Sequence, residues 1–182
     1  ALFEPYLGGD TLDLVINEIN YNSSDVFNPG DWIEIYNNGT DSVDISGYYF
    51  TDENEDHRFT FPDSMIIDVG AYLVLSQDTN AFFNFFDETS NIVGSFDFGL
   101  SGGGESISLY DITGRLIDNL EYDDDTPWPT EPDGNGPTLE LISPDLPNNI
   151  AESWSFSSEN GTPGYINSVT ESLKDQDENT LP

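Results

Sequence analysis

The chain has 182 residues, with 3 Lys+Arg against 36 Asp+Glu, a formal net charge of −33 and a hydrophobic content of 36%. That length suits one domain with a real core, and the apolar content argues against wholesale disorder. The charge argues against a nucleic-acid partner, whose binding footprint is basic, and against an anionic membrane surface.

Residues 1–11, with Pro5 and the pair Gly8-Gly9, read as a leader ahead of the domain. Beyond them Gly, Pro, Asn and Asp recur about every 8–12 residues between short apolar runs, the rhythm of an all-β sandwich. Leu12–Tyr21 reads as the first strand and Trp32–Asn37 as the second, with Ile33 and Ile35 on one face and Trp32, Glu34 and Tyr36 on the other. Val43–Ile45 and Tyr48–Thr51 flank a bend at Gly47, and His57–Phe61 and Tyr72–Ser76 follow. Thr79–Asp87 is the one short helix expected, with Thr79 as its cap and Phe82 and Phe86 on one side. Ser106–Tyr110 and Arg115–Tyr122 form a hairpin across Asp111-Ile112-Thr113-Gly114, where the glycine supplies a positive φ. Thr138–Ile142 is the last strand read, the sandwich unit spans 12–168, and 169–182 is an acidic linker or tail. Ile16, Ile33, Ile35, Phe61, Leu73, Leu75, Ile107, Leu109, Leu120 and Trp154 are expected in the core.

No cysteine is present, which removes disulfides, zinc–thiolate sites and thiol nucleophiles. The single histidine, His57, leaves at most one candidate base for a serine-type triad, and no G-x-S-x-G motif accompanies it. No apolar run approaches the roughly 18–20 residues that span a bilayer.

The ordered segments Asn17-Glu18-Ile19, W-x-E-x-Y-N at 32–37, D-x-S-G at 44–47, Phe61-Pro62, V-G-A-Y at 69–72 and G-x-x-x-x-L-Y-D-x-x-G at 104–114 resemble the lamin-tail domain. Trp128, Gly136, Leu139, Trp154 and the turn Gly161-Thr162-Pro163-Gly164 resemble the extension carried by bacterial members. The resemblance implies an immunoglobulin-like β-sandwich of the bacterial secreted type. It further implies a non-catalytic extracellular or cell-surface interaction module, appended to a larger protein and binding another protein or a polysaccharide.

The acid excess admits two readings: solubility in a saline environment, or carboxylates converging on Ca²⁺. Glu18 and Glu34, if their strands are neighbours, set like charges side by side, which a bound cation would relieve. Asp123, Asp124 and Asp125 form a second candidate metal cluster, with Glu131–Gly134 as a source of carbonyl ligands. Asp52, Asn54, Asp56 and Asp63 fit a calcium-loop spacing, but His57 stands where that loop needs glycine, so an acidic hairpin turn is the plainer reading. Trp128, between Pro127 and Pro129, is the candidate for stacking on a ligand. A calcium-dependent carbohydrate-binding module is the first alternative function, and a hydrolase using paired carboxylates the second.

Overall fold

The computed structural model describes residues 14–54, 56–86 and 91–170. The expected leader 1–11, the start of the first strand, the helix end at Asp87 and residues 171–182 of the expected tail lie outside these described residues. The strands are β1 (Leu14–Asn20), β2 (Trp32–Asn37), β3 (Val43–Asp44), β4 (Tyr49–Thr51), β5 (Phe59–Thr60), β6 (Ile66–Ile67), β7 (Tyr72–Ser76), β8 (Ile92–Gly94), β9 (Glu105–Tyr110), β10 (Leu116–Tyr122), β11 (Leu139–Leu141) and β12 (Trp154–Phe156). They build a six-stranded sheet in the order β12-β11-β1-β2-β7-β8, a four-stranded sheet β10-β9-β4-β5 and a two-stranded ribbon β3-β6. This is the expected all-β, immunoglobulin-like sandwich.

Alternation along each strand decides which side chains meet between the sheets. Ile33 and Ile35 pair with Leu75 and Leu73 across β2 and β7, and Ile19 pairs with Leu139 across β1 and β11. These side chains face Phe50, Ile107, Leu109 and Leu120 of the second sheet, and all are fully buried. Each such burial is worth about 1.5–3 kcal/mol. Every residue expected in the core lies there. The hairpin between β9 and β10 closes at Gly114, whose φ is +84°, while the Asp111 carboxylate accepts from the backbone N–H groups of Thr113 and Arg115.

Three strands were not foreseen: β6 and β8, which have two and three residues, and β12, which pairs on β11 at the sheet edge. The helix differs as well. α1 spans only Thr79–Phe82, and Asp78, not Thr79, caps it by accepting from Asn80 N and Ala81 N at 2.9 and 3.1 Å. An aspartate one residue earlier leaves Thr79 free to take the first helical position. α1 lies on the outer face of the six-stranded sheet, where Phe82 and Phe86 meet Trp32 edge-on at 6.0 Å. A single 3-10 turn, Ala151–Ser153, precedes β12. The folded unit runs past residue 168: Val169 N donates to Glu140 Oε2 and Thr170 Oγ1 to the carbonyl of Ile142.

Two bulges face each other across the core. The β1–β2 register shifts between Ile16 and Glu18, and the β9–β10 register shifts between Leu116 and Asp118. The second bulge turns Asp118 inward, where its carboxylate accepts from Ile16 N at 2.7 Å and Asn148 Nδ2 at 2.6 Å. Burial pushes this carboxyl up to about 6 against the pull of those donors.

Candidate functional site

Apart from the Asp52–His57 turn, the sequence-selected residues fall into two places. Glu18 and Glu34 are direct cross-strand partners on the outer face of the six-stranded sheet, and Glu140 of β11 is the partner of Glu18 on its other side. All three are fully buried, because the segment after β12 lies across this face. Glu18 Oε1 accepts from Thr138 Oγ1 at 2.5 Å and Thr162 N at 3.0 Å. Glu34 accepts from Asn17 Nδ2 at 2.9 Å and Gly164 N at 2.5 Å. Glu140 accepts from Thr162 Oγ1 and Ser168 Oγ, both at 2.8 Å. Asn167 reaches from the same segment to the carbonyls of Asn17 and Leu141.

Neutral donors of the chain therefore engage the oxygens of Glu18 and Glu34. Of the two arginines, Arg58 lies over the Tyr49 ring and Arg115 pairs with Asp111. Burial pushes Glu34 up to about 8, and the Glu140 charge adds to that rise. Glu18 is raised well above the ordinary carboxylate range by burial first, then by Glu34 and Glu140. Sequence reasoning singled out the Gly161–Gly164 turn but missed Glu140, Asn167 and Asp118. The acid inside the apolar run of Thr138–Ile142 was the signal available for Glu140.

Asp52, Asn54 and Asp56 close a hairpin turn upon themselves. Asp52 Oδ1 accepts from Asn54 N at 2.7 Å, Asn54 Oδ1 accepts from Asp56 N at 3.1 Å, and Asp52 Oδ2 lies 2.6 Å from His57 Nδ1. The His57 ring stacks on Phe98. Next to this turn a shallow groove is lined by the stacked Tyr49 and Tyr110 with Thr51, Asp52 and Arg58.

The second place joins two features chosen separately from the sequence. Trp128 and Asp123 line one open groove of about 350 Å³ together with Glu121, Glu152, Pro127 and Ile150. Asp124 and Asp125 adjoin it, and carboxylate oxygens of Asp123, Asp124 and Asp125 lie within 4.8 Å of one another, the one such group of three among the described residues. Glu121, Asp123 and Glu152 are exposed, and Trp128 is half-buried. Trp32 and Trp154 are sealed inside. Trp154 nevertheless supports Trp128: their ring centroids are 6.4 Å apart. Trp154 Nε1 donates to the Asn148 carbonyl at 2.7 Å, and Asn148 Nδ2 donates to Asp118. The groove wall is thereby tied to the inter-sheet carboxylate.

The lamin tail domain family matches residues 9–124, and the chain belongs to that family. No curated protein matches it. Among solved structures it is similar to a DUF4876 family protein from Bacteroides thetaiotaomicron, with a TM-score of 0.54 and 13% identity over 84% of this chain and 69% of that one. At that identity the likeness is one of fold.

Proposed function

We propose that this chain is a non-catalytic, extracellular interaction module of a larger secreted or surface bacterial protein, and that it engages its partner in the Trp128 groove. The observation carrying this reading is the convergence of a half-buried tryptophan and exposed carboxylates on one open groove. The carboxylates with strongly raised affinity for protons, Glu18 and Glu34, are sealed from solvent and bound to the chain's own donors, which suits a structural role better than acid–base turnover. The family's fold is compatible with many activities and argues only for the scaffold.

A calcium-dependent carbohydrate-binding module is the second reading, favoured by the convergent oxygens of Asp123, Asp124 and Asp125 beside Trp128. The test is an array of polysaccharides and synthetic peptides probed with the wild-type chain, with Trp128→Ala and with Tyr49→Ala, each with calcium and with chelator. Binding lost in Trp128→Ala and kept in Tyr49→Ala is expected. Binding that survives Trp128→Ala, or no binding on either array, would overturn the groove as the functional site.

A further inference from the structure

The Trp128 groove has a charge pattern that selects its occupant. Three of its lining residues, Glu121, Asp123 and Glu152, are acids, and no Lys or Arg lines it. Asp124 and Asp125 extend the same sign past its rim. The walls between these acids are the Trp128 indole, Pro127 and Ile150. A neutral sugar stacking on Trp128 would cover carboxylates without offering them countercharge, and burying an uncompensated charge is costly. A guanidinium satisfies both parts of the groove at once. Its flat face stacks on an indole, and its forked N–H groups match a carboxylate in a bidentate manner. An ammonium offers the charge but neither the plane nor the fork.

From this pattern we infer that the groove receives an arginine-bearing, basic segment of a partner protein, seated on Trp128 between Glu121, Asp123 and Glu152. The inference rests on the groove reading above and adds the partner's chemistry. Trp128 is held for this role from inside, through Trp154, Asn148 and Asp118. The acids act mainly on encounter and specificity, so binding weakens as salt rises.

The test is a titration of the whole chain, followed by the indole resonance of Trp128 and by calorimetry. Three probes are used: a glycine–serine peptide carrying two arginines, the same peptide with citrulline in their place, and cellohexaose. The arginine peptide should move the Trp128 signal and lose affinity between 50 and 300 mM NaCl, salt levels chosen to bracket a Debye length of about 10 Å. Glu121→Gln/Glu152→Gln should weaken it about tenfold, which is about 1.4 kcal/mol. The equally neutralising pair Asp63→Asn/Asp68→Asn, exposed but outside the groove, should change it less than about twofold. Equal losses from both pairs would overturn the inference in favour of bulk attraction to a polyanion. A citrulline peptide binding as well as the arginine peptide would overturn it too. Cellohexaose moving Trp128 while the arginine peptide does not would overturn the partner class and leave the groove standing. No response of Trp128 to any of the three would refute both.

Discussion

Glu34 offers the sharpest test of how the sheet tolerates buried acids. Its carboxyl goes from an ordinary 4.5 to about 8 in the folded chain, chiefly because it is fully buried. A folded-state value above the unfolded one means the folded chain holds a proton that the unfolded chain releases. The stabilisation is therefore complete below pH 4.5, and it drains away as pH rises towards about 8. At about 1.36 kcal/mol per pH unit for each proton released, the coupled carboxyls of Glu34 and Glu18 together lose several kcal/mol of stability across that window. That is a large part of a typical domain's 5–15 kcal/mol. Glu18, raised in the same direction, steepens the decline. Urea unfolding at steps between pH 5 and 8.5 in constant salt should show it. Glu34→Gln cannot ionise, so its slope over the same range should be much shallower. At pH 5 the variant should be about 1–2 kcal/mol less stable, because an amide –NH₂ then meets the Asn17 amide or the Gly164 N–H, both donors. At pH 8.5 the order should reverse. Wild-type stability that is flat between pH 5.5 and 8, or an equal slope in Glu34→Gln, would refute the reasoning.

Other consequences concern the segment that seals this face and the ties across the core. Gly161→Ala should destabilise by about 2 kcal/mol or more in urea unfolding, since a Cβ there would sit 2.8 Å from Glu18 Oε1 and 2.9 Å from Thr138 Cγ2, at a φ of +103°. A loss under about 0.5 kcal/mol would mean that the segment is not packed on the glutamates. Asp118→Ala should cost about 3–5 kcal/mol, because it orphans Ile16 N and Asn148 Nδ2 in a buried setting. It should also raise the quenching of Trp128 fluorescence as Asn148 and Trp154 loosen. Unchanged quenching would break the proposed link from core to groove. On the calcium-dependent reading, the clustered oxygens of Asp123, Asp124 and Asp125 should make melting respond more to calcium than to sodium at equal ionic strength. Binding at 100 times Kd contributes about 2.7 kcal/mol. Equal Tm values, or a calcium effect retained in Asp123→Asn/Asp125→Asn, would remove that site.

The inward faces were legible because alternation is a local code. W-I-E-I-Y and Y-L-V-L-S show which residues share a face, and the burial of Ile33, Ile35, Leu73 and Leu75 follows. Two-residue strands such as β6 carry too few residues for any period to register. Bulges defeat the code in another way. In Leu116–Tyr122 a strict period of two would place Leu116 and Asp118 on one face, yet Leu116 is 45% exposed and Asp118 is buried. The shift of register between them is fixed by partners far away in sequence, Ile16 and Asn148.

The same limit explains the acids. Glu18 and Glu34 were readable as neighbours, since both lie on the polar side of adjacent strands, and the register makes them direct partners. Their burial was not readable, because it depends on a segment some 130–144 residues further along the chain, the separations over which Gly164 N and Thr162 N reach them. A residue type alone says little about an acid's job in a chain of net charge −33. Glu34 and Glu121 are both acids on strands. One is roofed by the Thr162–Gly164 turn and holds its proton towards neutral pH, and the other opens on a groove. Desolvation separates them: it raises the roofed acid's affinity for a proton, and nothing roofs the acid that opens on the groove.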